Sequence, residues 1–340
     1  MFLRTAPSTR GKSIDRAGLL AGLLAIGIVS WTSSIRAAFE TDFTIDESYL
    51  RLLAEKSSIL VDMPVRLTHR TTNVHTLAND CEMHLAGKAM DMRLGNPPSI
   101  VVEPPNLCKF EHESGKTWPK IFDEMVMNRD CVVSGYPRIF TEHASGGDGG
   151  ANPNHVFEIH PATRIKCGQN TLSFESYVTV FPGMRAIKPA SADNCVRTRT
   201  ISMRHREGQF EFTEEGGSNC GNFAIAEVGF VEPDWVQKID GGHSAIARVS
   251  LNGSSRTTLK IYTLDGSDAD RWLADVKASG QDDNRVYLHG MLTYDYFAFV
   301  RTARTPAGEW INPTEWTRVR FPLALVVFGM PDGAPWEETH

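Results

Sequence analysis

What this sequence lacks removes most familiar function classes. It has no Cys-x-x-Cys, no H-E-x-x-H and no G-x-S-x-G. That takes away the usual signatures of thiol–disulfide exchange, helical zinc proteases and α/β-hydrolase nucleophile elbows. Gly115-Lys116-Thr117 looks like the end of a phosphate loop, but Phe110 stands where that loop needs its first glycine. There is no basic excess: 35 Lys and Arg stand against 41 Asp and Glu. Residues 1–37 hold five basic side chains and one acid, so the remainder carries about −10. A body of that sign argues against nucleic acid as a partner, because non-specific binding is driven by cations on phosphates. No low-complexity segment occurs, and no apolar run reaches a full membrane span.

What is present is an ordinary globular composition, 22% charged and 41% hydrophobic over 340 residues. That length is enough for two cores. Arg4, Arg10, Lys12 and Arg16 precede an apolar run from Ala17 to Trp31, and small residues (Ser33, Ser34, Ala37, Ala38) follow it. Residues 1–38 therefore read as a signal peptide, and the expected location is outside the cytoplasm, periplasmic or secreted. The alternative is membrane anchoring through residues 17–31, which is the only membrane contact expected. Six cysteines in an exported chain point to disulfides.

Residues 39–59 predict a short N-terminal helix capped by Asp46. From residue 60 the signal turns to strands: Val65–Thr71, Cys81–Met90 and Ser99–Glu103. A helix with Pro119 in its first turn follows. Cys131–Phe140 and His155–Ile165 come next, with Pro161 expected to interrupt the last strand. Three strands, a helix and two strands is the order of an OB-type five-stranded barrel, spatially 1-2-3-5-4 and closing on 1. In that topology Cys81 and Cys108 meet at the open end of one hairpin, and Cys131 and Cys167 at another. Cys195 and Cys220 are the remaining pair.

The expected organisation is thus mainly β. An OB-like domain spans 60–170, a linker 171–194 and a second β-rich domain 195–340. In the second domain Val196–Arg204 and Gly208–Thr213 predict a hairpin, with strands at Phe223–Phe230, Ala245–Leu251 and Thr257–Leu264. Ser267 caps a helix over Asp268–Lys277. Val286–Arg301 reads as one long aromatic strand, and Val319–Phe328 closes the domain. Strand, helix, strand recurs in both halves, which points to a diverged related barrel, although so short a pattern also arises by chance.

Glu82 and His84 share a face of the second strand, Glu103 ends the third, and Glu158 and His160 share a face of the fifth, with His155 pointing the other way. These strands are neighbours in the proposed barrel. Histidines among carboxylates suit a divalent metal or acid–base chemistry, and His84, His160 and Glu103 are the metal candidates. The competing reading is a salt-bridged network on a solvated sheet face, or a buried pair at the barrel mouth. A second candidate is the Gly-rich loop Glu142–Asn154, for an anion or calcium, against a plain hairpin connection.

The motifs Asp80-Cys81-Glu82-Met83-His84, Val101-Val102-Glu103-Pro104-Pro105-Asn106-Leu107-Cys108 and Glu158-Ile159-His160-Pro161 resemble those of bacterial exported or hypothetical OB-like proteins. The resemblance covers about residues 80–165. It implies an architecture and a shared polar cluster, with no known activity attached. The expected function is a non-catalytic ligand-binding or cell-envelope module, its partner an unidentified ligand or envelope component. The alternatives are a metal-assisted hydrolase using the His/Glu cluster, and a structural envelope protein.

Overall fold

The computed structural model describes residues 42–56, 59–75, 81–94, 99–145, 147, 149–180, 195–216, 223–251, 256–280 and 286–331. The expected signal segment lies outside them. The described chain enters as strand β1 (Phe43–Asp46) and turns into helix α1 (Glu47–Glu55). The Asp46 carboxylate accepts from the Ser48 amide at 2.8 Å, and Tyr49, Leu50 and Leu53 form the buried face. A side-chain cap of this kind is worth about 1 kcal/mol. The four residues of β1 are too few to show a period, so the sequence displays the helix alone.

The first barrel follows. Its strands are β2 (Val61–Arg70), β3 (Leu85–Ala89), β4 (Ser99–Val102), β5 (Asp130–Ile139) and β6 (Phe157–Cys167), with α2 (Trp118–Met125) between β4 and β5. In β2 the residues Val61, Met63, Val65 and Leu67 are buried, while Asp62, Pro64, Arg66 and Thr68 are exposed. That alternation is what a strand with one face on a core requires. β2 pairs with β3, β3 with β4, β5 with β6 and β2 with β5, all antiparallel, and β4 pairs with β6 in parallel. The order is the expected 1-2-3-5-4. Strand β6 continues through Pro161, but its pairing with β5 is interrupted there: the register shifts, and His160 and Pro161 stand opposite Tyr136 alone. Strand β7 (Asn170–Ser173) extends the hairpin into the start of the stretch read as a linker.

Cys81–Cys108 and Cys131–Cys167 are both formed, as the hairpin argument required. Cys195 is buried and disulfide-bonded, while Cys220 lies outside the described residues.

The hairpin expected to open the second domain is β8 (Thr200–Arg206) and β9 (Gln209–Glu215). It does not enter a barrel. β9 pairs with β1, and the four-stranded sheet runs β1-β9-β8-β15. The second barrel uses β10 (Phe223–Val231), β12 (Gly242–Leu251), β13 (Arg256–Thr263), β14 (Val286–Tyr294) and β16 (Leu323–Gly329), with the short β11 (Gln237–Ile239) on β12. Helix α3 (Asp268–Ser279) lies between its third and fourth strands, and the two-residue β15 (Thr317–Arg318) precedes β16. β10 pairs with β12, β12 with β13, β14 with β16 and β10 with β14, all antiparallel, and β13 pairs with β16 in parallel. Both barrels therefore have one strand order and one helix position.

The expected single strand Val286–Arg301 divides. Asp295 ends β14, and its carboxylate accepts from the Phe297 amide at 3.0 Å, starting helix α4 (Tyr296–Thr302). Tyr296, Phe299 and Val300 are buried at helical spacing, a pattern that resembles alternation over so short a window.

Consecutive residues Phe157–Thr163 of β6 are all buried, so this part of the strand is covered on both faces. The second barrel supplies the outer cover. The Arg138 Nε donates to the Leu292 carbonyl at 3.1 Å, the Ile139 amide donates to Thr293 Oγ1 at 3.0 Å, and the His160 ring meets Phe223 edge-on at 6.0 Å.

Candidate metal centre

The site is built where the parallel pair β4–β6 runs out. Glu103 follows β4, but its backbone keeps the ladder going. Its amide donates to the Ile159 carbonyl at 3.0 Å, and its carbonyl accepts from the Ala162 amide at 3.1 Å. That register sets the Glu103 side chain beside His160. Glu82 and His84 lie just before β3 rather than in it. Glu82 forms a bridge with His75, whose amide donates to the Glu82 carbonyl at 2.9 Å. The Cys81–Cys108 disulfide ties this segment to the chain beyond β4.

All five expected residues converge. His160 Nε2 lies 3.0 Å from Glu82 Oε2, and His160 Nδ1 lies 2.8 Å from Glu103 Oε2 and 3.9 Å from Glu158 Oε2. His84 Nε2 is 3.8 Å from Glu82 Oε1 and 3.8 Å from Glu103 Oε1. His160, Glu82 and Glu103 are at most 3% exposed, so the reading of a solvated sheet face does not hold, and the cluster is buried. Alternation says which side chains share a face. It does not say what covers that face.

Burial alone drives a histidine neutral and a carboxylate protonated. Here the opposed charges outweigh it. Burial pulls His160 down, yet the carboxylates of Glu103 and Glu82 hold it well above its ordinary value. Burial raises Glu82, but the His160 charge keeps it well below the carboxylate range. His84 is pushed up to about 9 by Glu103 and Glu82 against its own burial.

Four further side chains belong to the cluster. His75 Nε2 is 3.1 Å from His84 Nε2 and 3.4 Å from Glu82 Oε1. Arg138 Nη1 donates to Glu158 Oε2 at 2.7 Å, and its Nη2 reaches Glu142 at 3.4 Å. His155, expected to point away, lies 3.0 Å from Glu158 Oε1 through Nε2. Its residue precedes β6, so strand alternation does not govern it. Its Nδ1 also faces the Pro153 carbonyl at 2.6 Å. Both of those partners only accept, so both ring nitrogens are donors and the ring is an imidazolium. The raised value of its side chain, set by Glu158 against burial, agrees. Arg138 was legible in principle, because it faces Glu158 directly across the β5–β6 ladder. His75 was not, since it sits on the connection between β2 and β3, where no period applies.

The Glu142–Asn154 loop behaves as a connection. Glu142 pairs with Arg138, the His143 ring stacks on His155 at 5.0 Å, and the Gly147 amide donates to Asn154 Oδ1 at 2.6 Å. Gly146 and Asp148 lie outside the described residues. Among the described residues no set of three ligand side chains gathers there; the sets found are His75, Glu82, His84 and Glu82, Glu103, His160.

The first of these sets has the dimensions of a metal site. A tetrahedral ion with bonds of about 2.0–2.1 Å separates its ligand atoms by about 3.3 Å. The three atoms here stand 3.1, 3.4 and 3.8 Å apart. His75 and His84 are 25% and 17% exposed, which leaves this end of the cluster open to entry. No protein-family model matches the chain, and no curated protein matches it.

Proposed function

We propose that this is an exported, non-catalytic two-barrel module that holds a divalent transition-metal ion through His75, Glu82 and His84. The observation that carries this is the convergence of two imidazole Nε2 atoms on one carboxylate oxygen, at 3.1, 3.4 and 3.8 Å from one another, against an edge of about 3.3 Å in a coordination tetrahedron. Two nitrogens and one oxygen suit zinc or a neighbouring ion better than calcium or magnesium, which prefer oxygen alone. The ion would supply a fixed point joining the β2–β3 connection to the barrel. His160 faces the outer oxygens of Glu82 and Glu103 together, the kind of contact that orients metal ligands from behind. Export is part of the reading, supported by the disulfides and the apolar segment 17–31. Among the described residues no helix is long and apolar enough to cross a membrane.

The hydrolase reading draws on one further fact: three protein ligands leave a coordination position open, and Glu103 lies beside His84. Against it, Glu103, Glu158 and His160 are sealed from substrate.

Calorimetric titration of chelator-treated protein with Zn2+, and with Co2+ followed by its visible absorption, tests the proposal. One ion per chain should bind and raise the melting midpoint by mass action. His75→Ala and His84→Ala should each abolish this. A chain that takes up neither ion and melts unchanged would overturn the reading, leaving the cluster as a purely structural network.

A further inference from the structure

A groove of about 680 Å³ opens where the four-stranded sheet meets the second barrel, well separated in sequence from the histidine–glutamate cluster. Its electrostatics run against those of the molecule. The body of the chain is acidic, yet among the described residues no carboxylate lines this groove, and Arg197, Arg199, Arg318 and Arg320 all do. Arg318 and Arg320 are exposed. Arg199 is buried and held in place, with its Nε 3.1 Å from Glu214 and its guanidinium 4.5 Å from the Phe140 ring centre.

Two other features narrow the ligand. Thr200, Thr257, Thr258 and Thr317 add a set of hydroxyls to the lining. Phe321 stands at the lip, 65% exposed, with φ of 50°. An aromatic residue held in the left-handed region is strained, and such strain gathers at functional positions. Arginine forks recognise carboxylate or sulfate groups, hydroxyls answer hydroxyls, and an exposed ring face accepts the apolar face of a sugar.

We propose that this groove binds an acidic glycan, a chain of sugars bearing carboxylate or sulfate groups. An acidic peptide added as a strand would need a long free edge, and β15 offers only Thr317–Arg318 there.

The test is calorimetric titration of the full chain with oligogalacturonate and with heparin-derived oligosaccharide. A neutral malto-oligosaccharide and poly-glutamate serve as controls. At least one acidic glycan should bind, more weakly as salt rises, and neither control should match it. The Arg318→Ala/Arg320→Ala double variant should lose about tenfold or more in affinity. Its melting midpoint should hold, because both side chains are exposed. Phe321→Ala should weaken the glycan by a smaller factor, and His84→Ala should leave it unchanged. Binding of neither acidic glycan, binding unaffected by the double variant, or equal binding of poly-glutamate would each overturn the proposal.

Discussion

In the first barrel β4 and β6 pair in parallel, with Val101 opposite Glu158. In the second, β13 and β16 pair the same way, with Ile261 opposite Leu325. The strand order, the closing pairs and the helix between third and fourth strands are common to both. What differs is the side chains at this ladder. The first barrel places Glu103, Glu158 and His160 there and adds Glu82, Arg138 and His155, every one of them buried. The second places apolar residues along β16 and keeps a buried His–Asp contact at one end, where His243 Nδ1 lies 2.8 Å from Asp270 and Thr263 Oγ1 donates to the same oxygen at 2.8 Å. The shared topology is thus compatible with either polarity. Backbone pairing closes the barrel, and the side chains facing outward are free to differ as long as each buried charge finds a partner.

The largest expected break in this comparison is at Arg138. Arg138→Ala leaves Glu158 buried with its main cation gone, and removing one partner of a buried pair costs about 3–5 kcal/mol. Urea denaturation should show that loss. The Arg138→Met/Glu158→Leu double variant should recover only part of it, because His155 then loses its carboxylate partner. If the double variant is as unstable as the single one, the network contributes more than mutual neutralisation.

Next in size are the disulfides. Both bridges with described partners staple the first barrel, and no cysteine lies in the strands of the second. Cys131→Ala/Cys167→Ala should cost roughly 2–4 kcal/mol. Hydrogen exchange should rise in β5 and β6 before β13 and β16. Simultaneous loosening of both barrels would mean that they unfold as one unit.

A smaller effect is expected at His243. Its replacement by alanine leaves Asp270 with Thr263 and the Gly266 amide. Losing a partner for a buried acceptor should cost about 1–3 kcal/mol, read as a lower melting midpoint. An unchanged midpoint would show that the second barrel does not depend on the His243–Asp270 contact.

The smallest effect is a difference in pH response in metal-free protein. His84 is raised to about 9, so the stability it contributes is full below 6.5 and is lost as pH rises through about 9. His289 in β14 is lowered by burial to about 4, so its folded form resists protonation. The unfolded chain binds that proton first, and stability falls as pH drops from about 6.5 towards 4. His84→Gln should flatten the alkaline limb of a melting-midpoint profile and His289→Phe the acidic limb. Exchanged limbs would contradict the assignment of the two environments.

Much of the fold and most of the cluster are legible in the amino-acid sequence. The period of β2, the capping residues Asp46 and Ser267 and the proline in the first turn of α2 act locally, within a few residues. The disulfide partners Cys81–Cys108 and Cys131–Cys167 follow once the strand order is assumed, because hairpins bring their open ends together. Glu158 and His160 can be named from alternation within β6, and Glu82, His84 and Glu103 from their places at the ends of the neighbouring strands. Three features are not legible in this way. Helix α4 looks like the continuation of β14, since seven residues carry too little period to separate the two. The β8–β9 hairpin looks like part of a barrel, although β9 pairs with β1, far earlier in the chain, with Phe43 opposite Phe212. His75 sits in a connection, where side-chain direction follows no rule.

Short-range periodicity, capping chemistry and cysteine positions are therefore enough to set the local elements, the strand order of the first barrel, its staples and the membership of most of the polar cluster. The cover that the second barrel lays over this cluster is a property of the packed chain alone. Whether Glu158 and His160 face water or another sheet depends on residues such as Phe223 and Leu292, far along the chain. That packing sets the physics of the site. In water the same charges would be screened, and between two barrels they must pair with one another or with a bound ion.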